Sequence, residues 1–348
     1  MKTMMLMGIF SLFSLFASCK AYTDLSVDAF DSRLSGDGTA QLVDVRTADE
    51  FAEGHLPGAL SLDVNDTDFL GKAQALLAKD RPVLVYCRSG RRSAAAAARL
   101  AGEGFAVFNL EGGILAWKEA GRRVTAYEGE RFCTPGGLPV EITLIKHASL
   151  EIRYRGLSIQ VDPVTELGVR TDYAADFPKA DIILVTHEHG DHFDRAALAT
   201  LRKEDTRLIT NERCAGMAGW GTPLANGGSL PLADDIYVEA VPAYNTTEGR
   251  QQFHPKGRDN GYILTLGGLR IYLAGDTEDI PEMADITGID IAFLPCNQPY
   301  TMTVDQLVNA AGMIRPGVLI PYHFSATDIR SIPERLPEVD VRLHPAMS

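Results

Sequence analysis

Residues 186–194 read Thr-His-Glu-His-Gly-Asp-His-Phe-Asp, three imidazoles and the metal-ligand-type carboxylate Asp191 within six positions, directly after the run Asp181-Ile-Ile-Leu-Val185. Imidazole and carboxylate are the donors that zinc, iron and manganese take. A tight turn at a strand end can aim His187 and His189 at one ion and Asp191 and His192 at a second. Histidine is otherwise sparse: of eight in 348 residues, three lie in this turn, so a loop that is His-rich by accident is the poorer account. Two further apolar segments end on donors of the same kind, Leu269-Arg-Ile-Tyr-Leu-Ala-Gly-Asp276 and Val318-Leu-Ile-Pro-Tyr-His323. Asp276 has the chemistry to bridge two ions, and His323 to close the second.

The amino-terminal half carries a different chemistry. Pro82-Val-Leu-Val-Tyr86 reads as a short buried strand, Cys87-Arg-Ser-Gly-Arg-Arg92-Ser93 follows, and Ala94 to Ala98 open a helix. Such a loop turns backbone N–H groups inward at a helix N-terminus, which favours a thiolate and any anion attached to it. Cys87 is therefore the candidate nucleophile. Arg88 and Arg92 are expected to assist it, and Ser89, Gly90 and Arg91 to hold an anionic sulfur substrate. A purely structural cysteine has no use for three arginines.

Stepping outward to whole motifs, His-x-His-x-Asp-His, then Gly-Asp-Thr, then a late strand-end His resembles the metallo-β-lactamase superfamily over about residues 140–348. Within it, His147-Ala-Ser, Asp162-Pro, Val241-Pro-Ala-Tyr-Asn245, His254-Pro-Lys-Gly257 and Tyr300-Thr-Met look most like small hydrolases related to L-ascorbate-6-phosphate lactonase. The resemblance implies an αββα sandwich with two divalent metal ions at one edge, zinc foremost and manganese or iron as alternatives. One departure is visible. Where many superfamily members place a third His for the first metal, this chain has Asn245, and the nearest spare imidazole is His254. Either His254 is the ligand, or the first ion rests on His187, His189 and Asp276 and binds more weakly than the one held by Asp191, His192, Asp276 and His323. Asn245 and Lys256 are then candidates for substrate binding, and Asp191 for orienting the attacking water. His147 reads as a residue behind the ligands or in the core.

Leu42-Val-Asp-Val-Arg46, Glu50-Phe51, Gly54-His-Leu-Pro-Gly-Ala59, the Cys87 loop and Leu110-Glu-Gly-Gly113 with Trp117 resemble a rhodanese over about residues 22–126. That implies an α/β domain, a parallel sheet flanked by helices. The Cys-Arg-x-Gly-x-Arg length fits sulfurtransferases; the related dual-specificity phosphatases have a loop one residue longer. Asp44, Arg46, Glu50 and His55 read as an ion-paired scaffold behind the loop.

A length of 348 residues accommodates two compact domains. The Gly/Pro-punctuated stretch 127–139 reads as the linker between them. A net charge of −13 disfavours a polyanionic partner, so nucleic acid is not expected and small molecules are. Met1 to Cys19 has a Lys2 start, an apolar stretch from Met4 to Phe16 too short to span a bilayer, and the ending Phe16-Ala-Ser-Cys19, which resembles a bacterial lipoprotein signal. The expected location is the periplasm or cell envelope, with a lipid anchor at Cys19 as the one membrane contact. The combined expectation is a two-domain enzyme with sulfur transfer at Cys87 and hydrolysis of an ester, lactone, amide or phosphoester at the metals. The rivals are a persulfide dioxygenase coupled to the rhodanese domain, and a hydrolase whose rhodanese part only docks or senses thiols.

Overall fold

The computed structural model describes residues 21–36 and 40–348. The expected leader, with Cys19, lies outside the described residues. The amino-terminal unit is a five-stranded, all-parallel sheet of β1 (Thr23–Leu25), β2 (Gln41–Asp44), β3 (Leu60–Ser61), β4 (Val83–Tyr86) and β5 (Val107–Leu110), in the order β1-β5-β4-β2-β3. Strand alternation sorts its core onto two faces. Val43, Val83 and Val85 pack against α3 (Phe69–Leu76) and α4 (Arg91–Gly102) through Phe69, Ala96, Ala97 and Leu100. Leu42, Leu84 and Tyr86 pack against α1 (Val27–Leu34) and α5 (Gly113–Glu119) through Phe30, Ile114 and Trp117. Small alanines on α4 let that helix lie close to the strand carrying Cys87. The short α2 (Ala48–Ala52) is closed by a capping box from Thr47 and Glu50.

The carboxy-terminal unit stacks two seven-stranded sheets. The first holds β6 (Glu128–Cys133), β7 (Pro139–Lys146), β8 (Ser149–Tyr154), β9 (Leu157–Val161), β12 (Ile182–Leu184), β13 (Arg207–Thr210) and β14 (Thr222–Pro223). A small hairpin of β10 (Glu166–Leu167) and β11 (Val169–Arg170) stands apart. The second sheet runs in sequence order through β15 (Ser229–Ala233), β16 (Ile236–Ala243), β17 (Asp259–Leu266), β18 (Leu269–Leu273), β19 (Ile291–Pro295), β20 (Val318–Tyr322) and β21 (Asp340–Val341). Side chains of both sheets form one core, which also takes in Leu307, Ala310, Ala311 and Ile314 of the helix Val304–Ile314. Helices Arg195–Leu201 and Glu212–Ala218 cover the outer face of the first sheet through Leu198, Leu201 and Cys214 against Ile183, Val185 and Leu208. The result is the expected helix-sheet-sheet-helix order.

The linker reading of 127–139 is corrected here. Glu128–Cys133 is an edge strand, paired antiparallel with β7 from Glu128↔Leu144 to Cys133↔Pro139, and only Thr134 to Leu138 turn. Its Gly/Pro signal belongs to a hairpin, and β6 also meets the other unit. Arg131 of β6 donates to Leu34 O at 2.7 Å.

Candidate metal centre and cysteine loop

The metal-type donors converge at one edge of the sandwich because each follows the end of a strand. The His187–His192 turn follows β12, Asp276 follows β18, His323 follows β20, and Asp162 follows β9. The approach is tight. Gly275 holds φ 65°, and a Cβ there would lie 2.8 Å from Asn260 O, so glycine must precede Asp276. His147, Asp162 and His323 adopt φ 52°, 41° and 49°, a left-handed conformation that costs a side-chain-bearing residue about 1 kcal/mol each and that packed surroundings must impose.

Two groups of donors form. His187, His189, His254 and Asp276 make one, and His147, Asp191, His192 and His323 the other; within each, donor atoms lie within 4.8 Å of one another. Asp276 stands between them, with Oδ2 3.4 Å from His254 Nε2 and Oδ1 3.2 and 3.4 Å from the Nε2 atoms of His192 and His323. These residues fit cations on their own chemistry. His187, His192, His254 and His323 each bury an Nε2 with no hydrogen-bond partner, as does Asp276 its Oδ1, and converging lone pairs without donors are what a buried metal site requires. His189 and Asp191 are partly exposed, which leaves the site open on one side.

The partners behind the ligands fix the imidazoles. Asp162 accepts from His192 Nδ1 at 2.8 Å, Asp259 lies 3.1 Å from His254 Nδ1, and Thr186 Oγ1 lies 3.0 Å from His187 Nδ1, so each ring turns Nε2 to the centre. Burial, reinforced by neighbouring imidazoles, holds His187 and His189 below the ordinary histidine range and so neutral, as a ligand must be. Burial opposes charge on His192 too, but Asp276 and Asp162 outweigh it and raise that group well above its usual value. A cation there displaces the proton and takes over its pairing with the carboxylates.

Two expectations change. His254 sits inside the first group, so the third imidazole missing at Asn245 arrives nine residues later in the loop between β16 and β17, and the argument for a weaker first ion falls. His147, assigned to the background by sequence, is a member of the second group. Asn245 is buried and acts as a clasp: its N donates to His254 O at 2.9 Å and its Nδ2 to Tyr300 O at 2.8 Å. Lys256 is not brought to the cluster. It pairs with Glu282 at 2.6 Å and Tyr244 at 3.1 Å on the rim of a 660 Å³ cavity that Arg213, Asn226 and Arg258 help to line. Missed altogether were the roles of Asp162 and Asp259; a carboxylate directly after a strand, or opening one, was the available signal.

In the other unit, Cys87 directly follows β4 and is buried, with Ser93 Oγ 3.4 Å from its sulfur. Burial pushes the thiol up, but the hydroxyl of Ser93 and the backbone N–H groups of Ser93, Ser89 and Gly90 overcome this and set it below the usual cysteine value. The N–H cradle therefore acts as expected, while Arg88 and Arg91 point to solvent. Arg92 lies beside the thiol and forks onto Glu50 with two bonds of 2.7 Å, which draws Glu50 down to about 2. Arg46 is paired with the buried Asp44, and His55 bonds Phe51 O at 2.9 Å. Gly113 lets α5 clamp the loop, since a Cβ would meet Cys87 O at 2.3 Å; Ile114 N donates to that same oxygen at 2.9 Å.

Comparison with known proteins gives the same division. A β-lactamase superfamily domain model matches residues 141–323 and a rhodanese-like domain model residues 26–120. A UPF0173 metal-dependent hydrolase of Geobacillus sp. (strain WCH70) is 31% identical over 198 residues, covering 53% of this chain and 86% of that protein. Its counterpart in Ligilactobacillus salivarius is 33% identical over 193 residues, covering 53% and 85%. Among solved structures, a candidate metal-dependent hydrolase from Parabacteroides distasonis is 53% identical with a TM-score of 0.61, covering 63% of this chain and 98% of that one. Igni18, a metallo hydrolase from Ignicoccus hospitalis, shares the fold at 24% identity and a TM-score of 0.52, covering 60% and 96%.

Proposed function

The chain belongs to the β-lactamase superfamily, joining a metal-dependent hydrolase unit to a rhodanese-like domain, and from that premise we propose that it hydrolyses a small ester, lactone or phosphoester at a two-ion site and transfers sulfane sulfur at Cys87. The observation that carries the hydrolytic part is the pair of His-rich donor groups meeting at Asp276. His187, His189, His254 and Asp276 would hold one divalent ion, and His147, Asp191, His192 and His323 the other, zinc being the best match to imidazole and carboxylate donors. Bound there, the ions supply Lewis acidity and lower the pKa of water. The chain's own part is to fix the imidazole tautomers through Asp162, Asp259 and Thr186, to keep Asp191 ionised, and to leave the partly exposed His189–Asp191 side open to substrate. Burial opposes charge on Asp191, yet His147 and His323 hold it well below the carboxylate range, so it orients a water proton rather than donating one.

At the other site, the Cys87 sulfur attacks the outer sulfur of a thiosulfate-like donor. The S–S bond of the donor breaks with its electron pair leaving on sulfite, and a persulfide remains for a nucleophilic acceptor. The N–H groups of Ser89 and Gly90 steady the negative charge. Residues 1–19 extend the proposal to a lipid-anchored envelope location, which Cys19→Ala tests by moving the protein out of the membrane fraction.

The deciding experiment measures zinc content and turnover on ester, lactone and phosphoester panels for wild type and His254→Ala, with oxygen uptake on glutathione persulfide alongside. We expect about two ions per chain, about one in the variant, and hydrolysis lost with it. Oxygen consumption with one iron per chain would replace hydrolysis by persulfide oxidation.

A further inference from the structure

His147 differs from the other donors in what stands behind it. Its Nδ1 faces no aspartate or threonine side chain but a main-chain oxygen, Ser348 O, at 3.1 Å, and its backbone N donates to Ala346 O at 3.2 Å. The short 3-10 turn Pro345–Met347 thus wraps a residue whose Nε2 lies 3.4 Å from Asp191 and whose ring lies 3.7 Å from that of His323. His147 O in turn accepts from His323 N at 3.2 Å, so two of the second group's four donors share one support. His147 holds φ 52°, the left-handed region that a two-residue turn between β7 and β8 calls for and that a residue with a Cβ adopts at a cost.

The tail is seated rather than draped. Met347 is fully buried in the inter-sheet core. Three residues earlier, His344 is gripped by Glu128 at 2.9 Å and Glu130 at 2.8 Å, and Arg342 pairs with Glu130 and Asp340. Both glutamates belong to β6, the strand that touches the rhodanese-like unit through Arg131.

We propose that residues 344–348 are a positioning strap for the second metal site: Ser348 O accepts the Nδ1 proton of His147, fixing the tautomer that turns a lone pair at Nε2 toward the ion. The same hydrogen bond orders the ring, as Asp162 and Asp259 do for His192 and His254. This rests on the reading of His147 as a ligand. Loss of such a partner weakens metal binding by about 10- to 100-fold.

The test is zinc stoichiometry and affinity, with the absorption of the cobalt-loaded protein as a second readout, in a two-domain chain truncated after Pro345. The expected result is one ion retained at wild-type affinity and the other weakened about 10- to 100-fold, with an altered cobalt spectrum. Thiol reactivity of Cys87 should be unchanged. Two ions at wild-type affinity would overturn the strap. Should the truncated chain not fold, Met347→Ala loosens the seat while keeping the backbone; it should shift the same ion in the same direction, Met347→Leu should restore it, and unchanged binding in Met347→Ala would overturn the proposal equally. His147→Ala separates the two claims. If it keeps both ions, the ligand reading fails; if it loses one while the truncation loses none, the strap alone fails.

Discussion

Replacing Asp162 with asparagine changes almost no volume and removes one charge, yet it should cost one ion much of its affinity. The carboxylate is fully buried and accepts at both oxygens: Thr186 N at 2.8 Å on Oδ1, Thr186 Oγ1 at 2.7 Å and His192 Nδ1 at 2.8 Å on Oδ2. An amide has one acceptor and one donor end. If its oxygen stays with Thr186 N, the NH2 group confronts His192 Nδ1, which must give up its proton and pass it to Nε2, the atom that faces the metal. Ligand tautomer loss of this kind is worth about 10- to 100-fold in metal affinity, or about 1.4–2.8 kcal/mol. If the amide flips instead, the donor Thr186 N meets a donor, and a buried unsatisfied N–H costs about 1–3 kcal/mol. Both arrangements land in the same range, so the outcome does not depend on which one forms.

The assay is zinc retention in Asp162→Asn after dialysis against graded chelator, with circular dichroism to confirm folding. The ion held by His192 should leave first. The other should follow with a smaller shift, because Thr186 Oγ1 links Asp162 to His187 at one remove. A folded variant that releases both ions at wild-type chelator concentrations would refute the reasoning about tautomers.

Three further outcomes follow from the same geometry. Chelation should lower the melting temperature of the carboxy-terminal unit, since each ion present at a thousandfold excess over its Kd contributes about 4 kcal/mol; a melt indifferent to chelator would count against resident metals. Cys87→Ser should abolish thiosulfate:cyanide sulfur transfer and leave zinc content untouched, and residual transfer would remove Cys87 from the chemistry. Burial disfavours charge on His344, but Glu128 and Glu130 outweigh it and raise the group to about 9, with Arg342 the nearby opposing charge. A folded value above the unfolded one gives stability that is complete below about 6.5 and fades as pH rises through about 9. The stability gap between wild type and His344→Gln in urea should therefore narrow across that window, and a constant gap would show that the tail is not held by charge.

What the sequence disclosed depended on whether a residue's task was local. The His187–His192 turn, Asp276 and His323 each follow an apolar strand, and a donor after a strand is visible from spacing alone. The Cys87 loop is contiguous, so its cradle of N–H groups was legible, although the part played by the Ser93 hydroxyl was not. The arginines add less than their number suggests: the Ser93 hydroxyl and the expected backbone N–H groups, at contact distance, lower the thiol. His254 and His147 were ambiguous because a lone imidazole in a loop carries no periodicity, and its role depends on what the other sheet brings to it.

The misread stretch 127–139 shows the same limit from the other side. Gly136, Gly137 and Pro135 signal a turn, and the turn exists, but whether flanking residues pair or wander is settled by the partner strand, here β7. That pairing has a consequence for how the two units work together. Once Glu128–Cys133 is a strand, one short segment presents Arg131 to the rhodanese-like unit and Glu128 and Glu130 to the tail that backs His147. The backbone pairing of β6 is with β7 of its own sheet, so a mechanical link between Cys87 and the metal edge would run through side-chain contacts such as that of Arg131 with Leu34 O.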